Sequence, residues 1–141
     1  MIHRKDIVKM NNRRKRKIKV KTKKLANSFK YAIQGMLQSF KTEQNMKIHF
    51  LIMIIVIALG FWLKISKTEW IICIILFGAV ISGELFNTAI ETTVDIAMPY
   101  KDKRAKKAKD ISASAVLVLA ISAAIIGLMI FIPKLILYFS N

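Results

Sequence analysis

From Ile48 onward the chain alternates long apolar runs with short charged ones, and that alternation organises most of the sequence. Apolar residues dominate 48–65, 69–97 and 110–132, each long enough to cross a hydrocarbon core of about 30 Å as a helix. Three transmembrane helices are therefore predicted. Upstream, Leu25, Phe29, Ala32, Ile33, Met36, Leu37 and Phe40 recur at helical spacing, with Lys30, Gln34, Gln38 and Lys41 on the other side. This pattern predicts an amphipathic helix over 25–47 lying in the membrane interface. Pro99 marks the predicted exit of the second span and Pro133 that of the third. Ala120, Ala123, Ala124 and Gly127 give the third span a face of small residues that permits close backbone approach. The expected fold class is all-α membrane protein, with residues 25–141 as the membrane domain. Three helices make a thin bundle, so association into an oligomer is expected.

Charge sharpens this picture. The chain has 141 residues, 55% of them hydrophobic, yet its net charge is +16. Half of the first 24 residues are Lys or Arg, and six more basic residues fall between Lys101 and Lys109. Only Lys64 and Lys67 lie in the first inter-span link, and Lys134 alone follows the third span. The positive-inside rule then puts the N-terminus and the 101–109 loop in the cytoplasm, and the first link and the C-terminus outside. Trp62 and Trp70 bracket the outer link, where interfacial aromatic residues belong, and Tyr138 suits the same role. Residues 1–24 lack periodicity and carry dense like charge, which predicts a disordered tail. Such a tail could serve nucleic acid, but beside a membrane domain the more economical partner is anionic lipid, at about 1 kcal/mol per basic residue near the surface. No nucleic acid is expected. The early residues lack the apolar core of a signal peptide, so the first span is expected to be retained. Cys73 has no second cysteine to pair with and reads as a packed membrane thiol.

Within the second span, Ser82–Asp95 reads SGELFNTAIETTVD. At 100° per residue Glu84 and Glu91 lie about 20° apart on one face, with Asp95 about 20° to the other side. Acidic groups at bilayer depth are costly, so the default reading of such a stripe is a functional site. With Trp70 at the outer interface, Glu84 lies about 21 Å further along the helix axis, inside the inner leaflet. Glu91 reaches the inner boundary about 10 Å later, and Asp95 is already beyond it. One acid at the level of lipid headgroups and another at the water line suit a reaction that joins a lipid hydroxyl to a soluble cofactor. Glu43, Asn87, Lys109 and Asp110 fall near the same level, with Asp110 a good cap for the third helix. Four carboxylates, an amide and an ammonium suit magnesium and phosphate. Neither a GxxxxGK[ST] loop nor a GxGxxG motif occurs, so a nucleotide has to be held in another way. His49 reads as an interfacial hydrogen-bonding residue rather than a metal ligand, because no second His lies near it.

The segments FKYAIQG (29–35), TEQNMKIH (42–49), GELFNTAIETTVD (83–95) and AKDISASAVL (108–117) resemble, in order and spacing, the small integral-membrane prokaryotic diacylglycerol kinases, which include the undecaprenol kinases of Gram-positive bacteria. The resemblance covers most of residues 25–133. It implies a homotrimer of three-helix subunits in the bacterial cell membrane, transferring the γ-phosphoryl group of MgATP to a lipid alcohol. By the matching positions Glu84 resembles the catalytic base that meets the acceptor hydroxyl. Glu43 and Glu91 resemble the magnesium ligands. Tyr31, Glu43, Asn87, Glu91, Lys109 and Asp110 resemble nucleotide contacts, as do Tyr100, Lys101 and Asp102, although Asp102 stands where the family carries a His. MKIH and the NTAIE form look like the Gram-positive branch, whose usual acceptor is undecaprenol, with diacylglycerol as the alternative.

Two readings from other classes remain. The acids could drive a small proton-coupled transporter, which calls for a carboxylate nearer the midplane. The chain could also be an accessory subunit of a larger membrane enzyme. For the stripe itself, the structural alternative is a set of interhelical hydrogen bonds that only fix the bundle.

Overall fold

The computed structural model describes residues 4–140, with side chains from Lys19 onward. Four helices follow one another: α1 (Arg4–Thr42), α2 (Gln44–Trp62), α3 (Lys67–Ala97) and α4 (Lys103–Phe139). No strand occurs among the described residues. Chain packing divides at Gln38 and Ser39 into an N-terminal unit, which is the body of α1, and a larger unit holding the other helices. Three helices, α2, α3 and α4, are long and apolar enough to cross a membrane.

In the N-terminal unit α1 continues back through the basic segment, where charge density predicted an unstructured tail. Residues 4–34 contain neither Gly nor Pro, and Lys and Arg are good helix formers, so local propensity favours the helix. The amphipathic stretch is helical throughout but ends at Thr42 rather than 47. Glu43 interrupts it with extended backbone (φ −92°, ψ 124°) and α2 starts directly after.

In the larger unit α3 packs against both α2 and α4. The α2–α3 link is a tight reversal. Ile65 N–H bonds the Gly60 carbonyl at 3.1 Å and Lys64 N–H bonds the Phe61 carbonyl at 3.3 Å, while Lys64 takes the left-handed conformation (φ 50°). This is a Schellman termination, with Lys where Gly is usual. Gly60 itself is required by packing, because a Cβ there would lie 2.8 Å from the Trp70 ring. Ser66 then starts α3 with a capping box: its hydroxyl accepts from Glu69 N–H, and its own N–H bonds Glu69 Oε2 at 2.6 Å. Lys134 of α4 lies 3.1 Å from that same oxygen. Ile65, Cys73, Ile130 and Phe131 form the buried apolar cluster next to this end. Trp62 and Tyr138 stack edge-on at 5.0 Å, tying the last turns of α2 and α4.

The third span is longer than its pattern predicted. α4 runs seven residues further back, to Lys103, and continues past Pro133 to Phe139. At the start, Asp102 is the cap in place of Asp110: its carboxylate accepts from Arg104 N–H at 2.6 Å and Ala105 N–H at 3.3 Å. At the other end Pro133 lies inside the helix rather than at its exit. Losing one helical hydrogen bond costs less in an apolar setting than unwinding a turn, which would strand several backbone groups. The small residues of α4 also behave differently from expectation. A Cβ on Gly127 would meet nothing within 4 Å, and Ala120, Ala123, Ala124 and Gly127 line a cavity instead. Close approach falls at Gly83 of α3, where a Cβ would sit 2.7 Å from Leu119.

Candidate functional site

The acidic stripe on α3 faces the other helices. Glu84 is buried to 2% exposure although it is ionisable and lies within an apolar helix. Its Oε1 is 3.1 Å from His49 Nε2 of α2, and Glu43 and Glu91 are the other two acids whose charge reaches it. The antiparallel run of α2 and α3 across the short reversal is what brings positions 43, 49 and 84 to one end. One turn on from Glu84, the Thr88 hydroxyl donates to the Glu84 carbonyl and lies 3.1 Å from the buried Ser39 hydroxyl. Phe40 and Phe50 pack edge-on at 5.2 Å beside the break at Glu43.

A second chain of contacts starts from Glu91. Asn87, itself buried, donates from Nδ2 to Glu91 Oε1 at 2.9 Å and accepts at Oδ1 from the Ser112 hydroxyl at 2.6 Å. Ser112 also lies 2.9 Å from the Lys109 carbonyl, so one hydroxyl proton is shared between two acceptors. Both polar ends of Asn87 are thereby committed, and Glu91 keeps one oxygen free of it. Among the described residues no buried side-chain nitrogen or oxygen lacks a partner. Further along, Lys109 Nζ pairs with Asp95 at 2.5 Å.

Beyond this ion pair the loop 98–102 opens a cavity of about 490 Å³, whose walls include Asp95, Tyr100, Lys101, Asp102, Lys106 and Lys109. Side-chain and backbone hydrogen bonds from Arg104, with a further one from Ala105 N–H, hold the Asp102 carboxyl below its ordinary range. Its charge is thus occupied in starting α4. Asp110 is exposed and pairs with Lys106 one turn before it.

Of the ten candidate site residues the larger unit holds nine. Glu43, Glu84, Asn87 and Glu91 form one neighbourhood, and Tyr100, Lys101, Asp102 and Lys109 border the loop cavity. Asp110 points to neither, and Tyr31 lies exposed on α1 in the other unit. Ser112 belongs to the AKDISASAVL segment, and nothing local in the sequence marks it as the partner of Asn87. His49 is the hydrogen-bonding residue its sequence predicts, and its partner, Glu84, lies on another helix.

Among the described residues no three His, Cys, Asp or Glu side chains converge as a metal cage. Magnesium, however, is held by one or two carboxylates completed by water and phosphate oxygens. Glu43 and Glu91 are part-exposed acids, and Glu91 is oriented by Asn87, so the donor set fits an ion that arrives with a nucleotide.

Three spanning helices with ionisable groups gathered at one end define a polytopic helical membrane protein built around a polar site. Residues 30–131 match the model of the prokaryotic diacylglycerol kinase family. An undecaprenol kinase of Bacillus subtilis is 44% identical over 108 residues, which cover 77% of this chain and 88% of that protein. A diacylglycerol kinase of Synechocystis is 35% identical over 77% of this chain and 62% of its own length. Another, from Haemophilus influenzae, is 35% identical over 67% of this chain and 80% of its own length. The chain belongs to the prokaryotic diacylglycerol kinase family and is an ATP-dependent lipid kinase.

Proposed function

We propose that this chain is an undecaprenol kinase, moving the γ-phosphoryl group of MgATP to the isoprenoid hydroxyl at the cytoplasmic membrane face. The observation that carries this reading is Glu84: a carboxylate at 2% exposure inside a spanning helix, on the same helical stripe as Glu91 and Asp95, the latter paired with the Lys109 ammonium. The acceptor oxygen forms a bond to the γ-phosphorus as the bond from that phosphorus to the bridging oxygen of ADP breaks. The hydroxyl proton passes to Glu84. Bound magnesium would neutralise phosphate charge, and Glu43 and Glu91 are the residues to hold it. Lys109 offsets charge on the transferring group, and Tyr100, Lys101 and Asp102 supply nucleotide contacts from the loop, whereas Tyr31 and Asp110 are assigned to the nucleotide by their matching family positions alone. Phosphoryl transfer needs little covalent help, so positioning and charge dominate the protein's contribution.

The choice of undecaprenol is supported by the 44% identity to a protein of that name, against 35% for the two diacylglycerol kinases above. Diacylglycerol is the second reading, favoured by the family description itself. Association with further copies is supported by the small buried share of the apolar helices, 22% of the most apolar stretch of α3 and 11% in α2 and α4, and the number three is what the family resemblance implies. The basic N-terminal residues are assigned to anionic lipid, with the N-terminus and the 101–109 loop cytoplasmic and the C-terminus outside.

The test is to incubate purified protein in detergent with labelled ATP, Mg²⁺ and equal undecaprenol and diacylglycerol, then separate the lipids. Labelled undecaprenyl phosphate is expected to dominate. Predominant phosphatidic acid would establish the second reading, and no labelled lipid would overturn both in favour of a transporter or accessory subunit.

A further inference from the structure

A buried carboxylate on a long side chain does not aim itself. A glutamate has three rotatable bonds, and a base displaced by about 1 Å from its acceptor loses much of its rate advantage. What fixes Glu84 is therefore a separate question from what Glu84 does. Its neighbours on α3 do not hold the carboxylate, because the Thr88 hydroxyl is spent on the Glu84 backbone carbonyl. Glu43 and Glu91 carry like charge and repel it. Among the described residues the remaining group that reaches it is His49, with Nε2 at 3.1 Å from Oε1.

His49 has a second distinguishing position. It borders an apolar cavity of about 460 Å³ among α2, α3 and α4, and every other wall residue is apolar, Cys73 and Met53 included. Its imidazole is thus the polar edge of that space and, at 19% side-chain exposure, stays within reach of Glu84.

We infer that His49 is the positioning residue for Glu84: Nε2–H donates to Oε1, fixes the carboxylate rotamer and leaves Oε2 to accept the hydrogen of the lipid hydroxyl. The inference rests on the lipid-kinase reading above and adds a residue to it. A neutral imidazole donor suffices, so the role requires neither a charge on His49 nor a proton passed through it. A carboxylate presents lone pairs on both oxygens, and holding one directs the other.

Three variants and one spectrum test this. His49→Leu keeps similar bulk and removes the donor. It should lower kcat for lipid phosphorylation by about 10- to 100-fold, the usual cost of losing a supporting hydrogen bond, with KM for MgATP within about two-fold. His49→Gln places an amide N–H where Nε2 stood and should recover most of that loss. A kcat within about two-fold of wild type in His49→Leu, or a His49→Gln as slow as His49→Leu, would overturn the inference. So would a loss confined to KM for MgATP. The contact is also readable without turnover or a folded His49 variant. The chain has two histidines, so ¹⁵N-histidine labelling gives two imidazole sets, and Glu84→Gln should move those of His49 and leave those of His3 unchanged. Unmoved His49 signals would refute the contact. Wild-type protein that labels no lipid would overturn the kinase reading and this inference together. Active wild type beside an equally active His49→Leu would overturn this inference alone.

Discussion

Two glutamates of α3, one in its first turn and one just past its middle, separate a side chain spent on architecture from the one proposed above for chemistry. Glu69 is bound into a capping box with Ser66 and receives Lys134 from α4, so one carboxylate closes a helix start and joins two helices. Glu84, more deeply buried, has its carboxylate paired with His49. Both are acids in the same apolar helix, and hydropathy treats them alike. Their partner sets differ: Glu69 is surrounded by donors that use its charge locally, whereas Glu84 sits with two further acids. Gathering like charges in an apolar helix works against folding, which is the signature expected of a site that awaits cations and phosphate.

The comparison breaks or holds on substitution. Glu84→Gln should reduce turnover by about 10³-fold, within the range for losing a general base, with MgATP affinity little changed. Glu69→Gln should leave turnover within about two-fold. Equal losses at both positions would erase the distinction. Next in size, Glu91→Ala should raise the Mg²⁺ needed for half-maximal rate by about 10- to 100-fold, read by magnesium titration. Ser112→Ala, which only supports Asn87, should move the same titration by several-fold less. At the structural end the readout is the melt rather than the rate. Gly60→Ala drives a Cβ against Trp70 and should cost about 1–3 kcal/mol, with activity per folded molecule preserved. The smallest effect is a gain: Lys64→Gly relieves a left-handed Lys and should add about 0.5–1 kcal/mol in a thermal or denaturant melt.

Most of the fold was legible because apolar run length is a direct statement about membrane spans. The second span, 69–97, agrees with α3 to within two residues, and Pro99 lies two residues past its end. The ends of α1 and α4 were less legible. Charge density at 4–24 and 103–109 reads as loop or tail, yet those residues have good helix propensity and no Gly, and Asp102 rather than Asp110 supplies the cap. Pro133 misled because a proline in an apolar helix ends it less reliably than one in water. For the site, the stripe on α3 was visible from helical periodicity alone, since Glu84 and Glu91 are one heptad apart. The pairings His49 with Glu84 and Ser112 with Asn87 were not, because each joins residues from two helices. Periodicity gives the face a residue occupies but not the residue opposite it. The small-residue face of α4 shows the same limit: spacing permitted a tight crossing, and the packing placed a cavity there.

The ion pair between Lys109 and Asp95 has a consequence for the idle enzyme. With Lys109 as the phosphate contact proposed above, Asp95 acts as a built-in counterion that occupies the ammonium until substrate arrives. Stray monovalent anions gain little by replacing a carboxylate already in place, whereas a polyphosphate brings enough charge to displace it. Selectivity for the correct cosubstrate then begins with an exchange of partners, before any group is transferred.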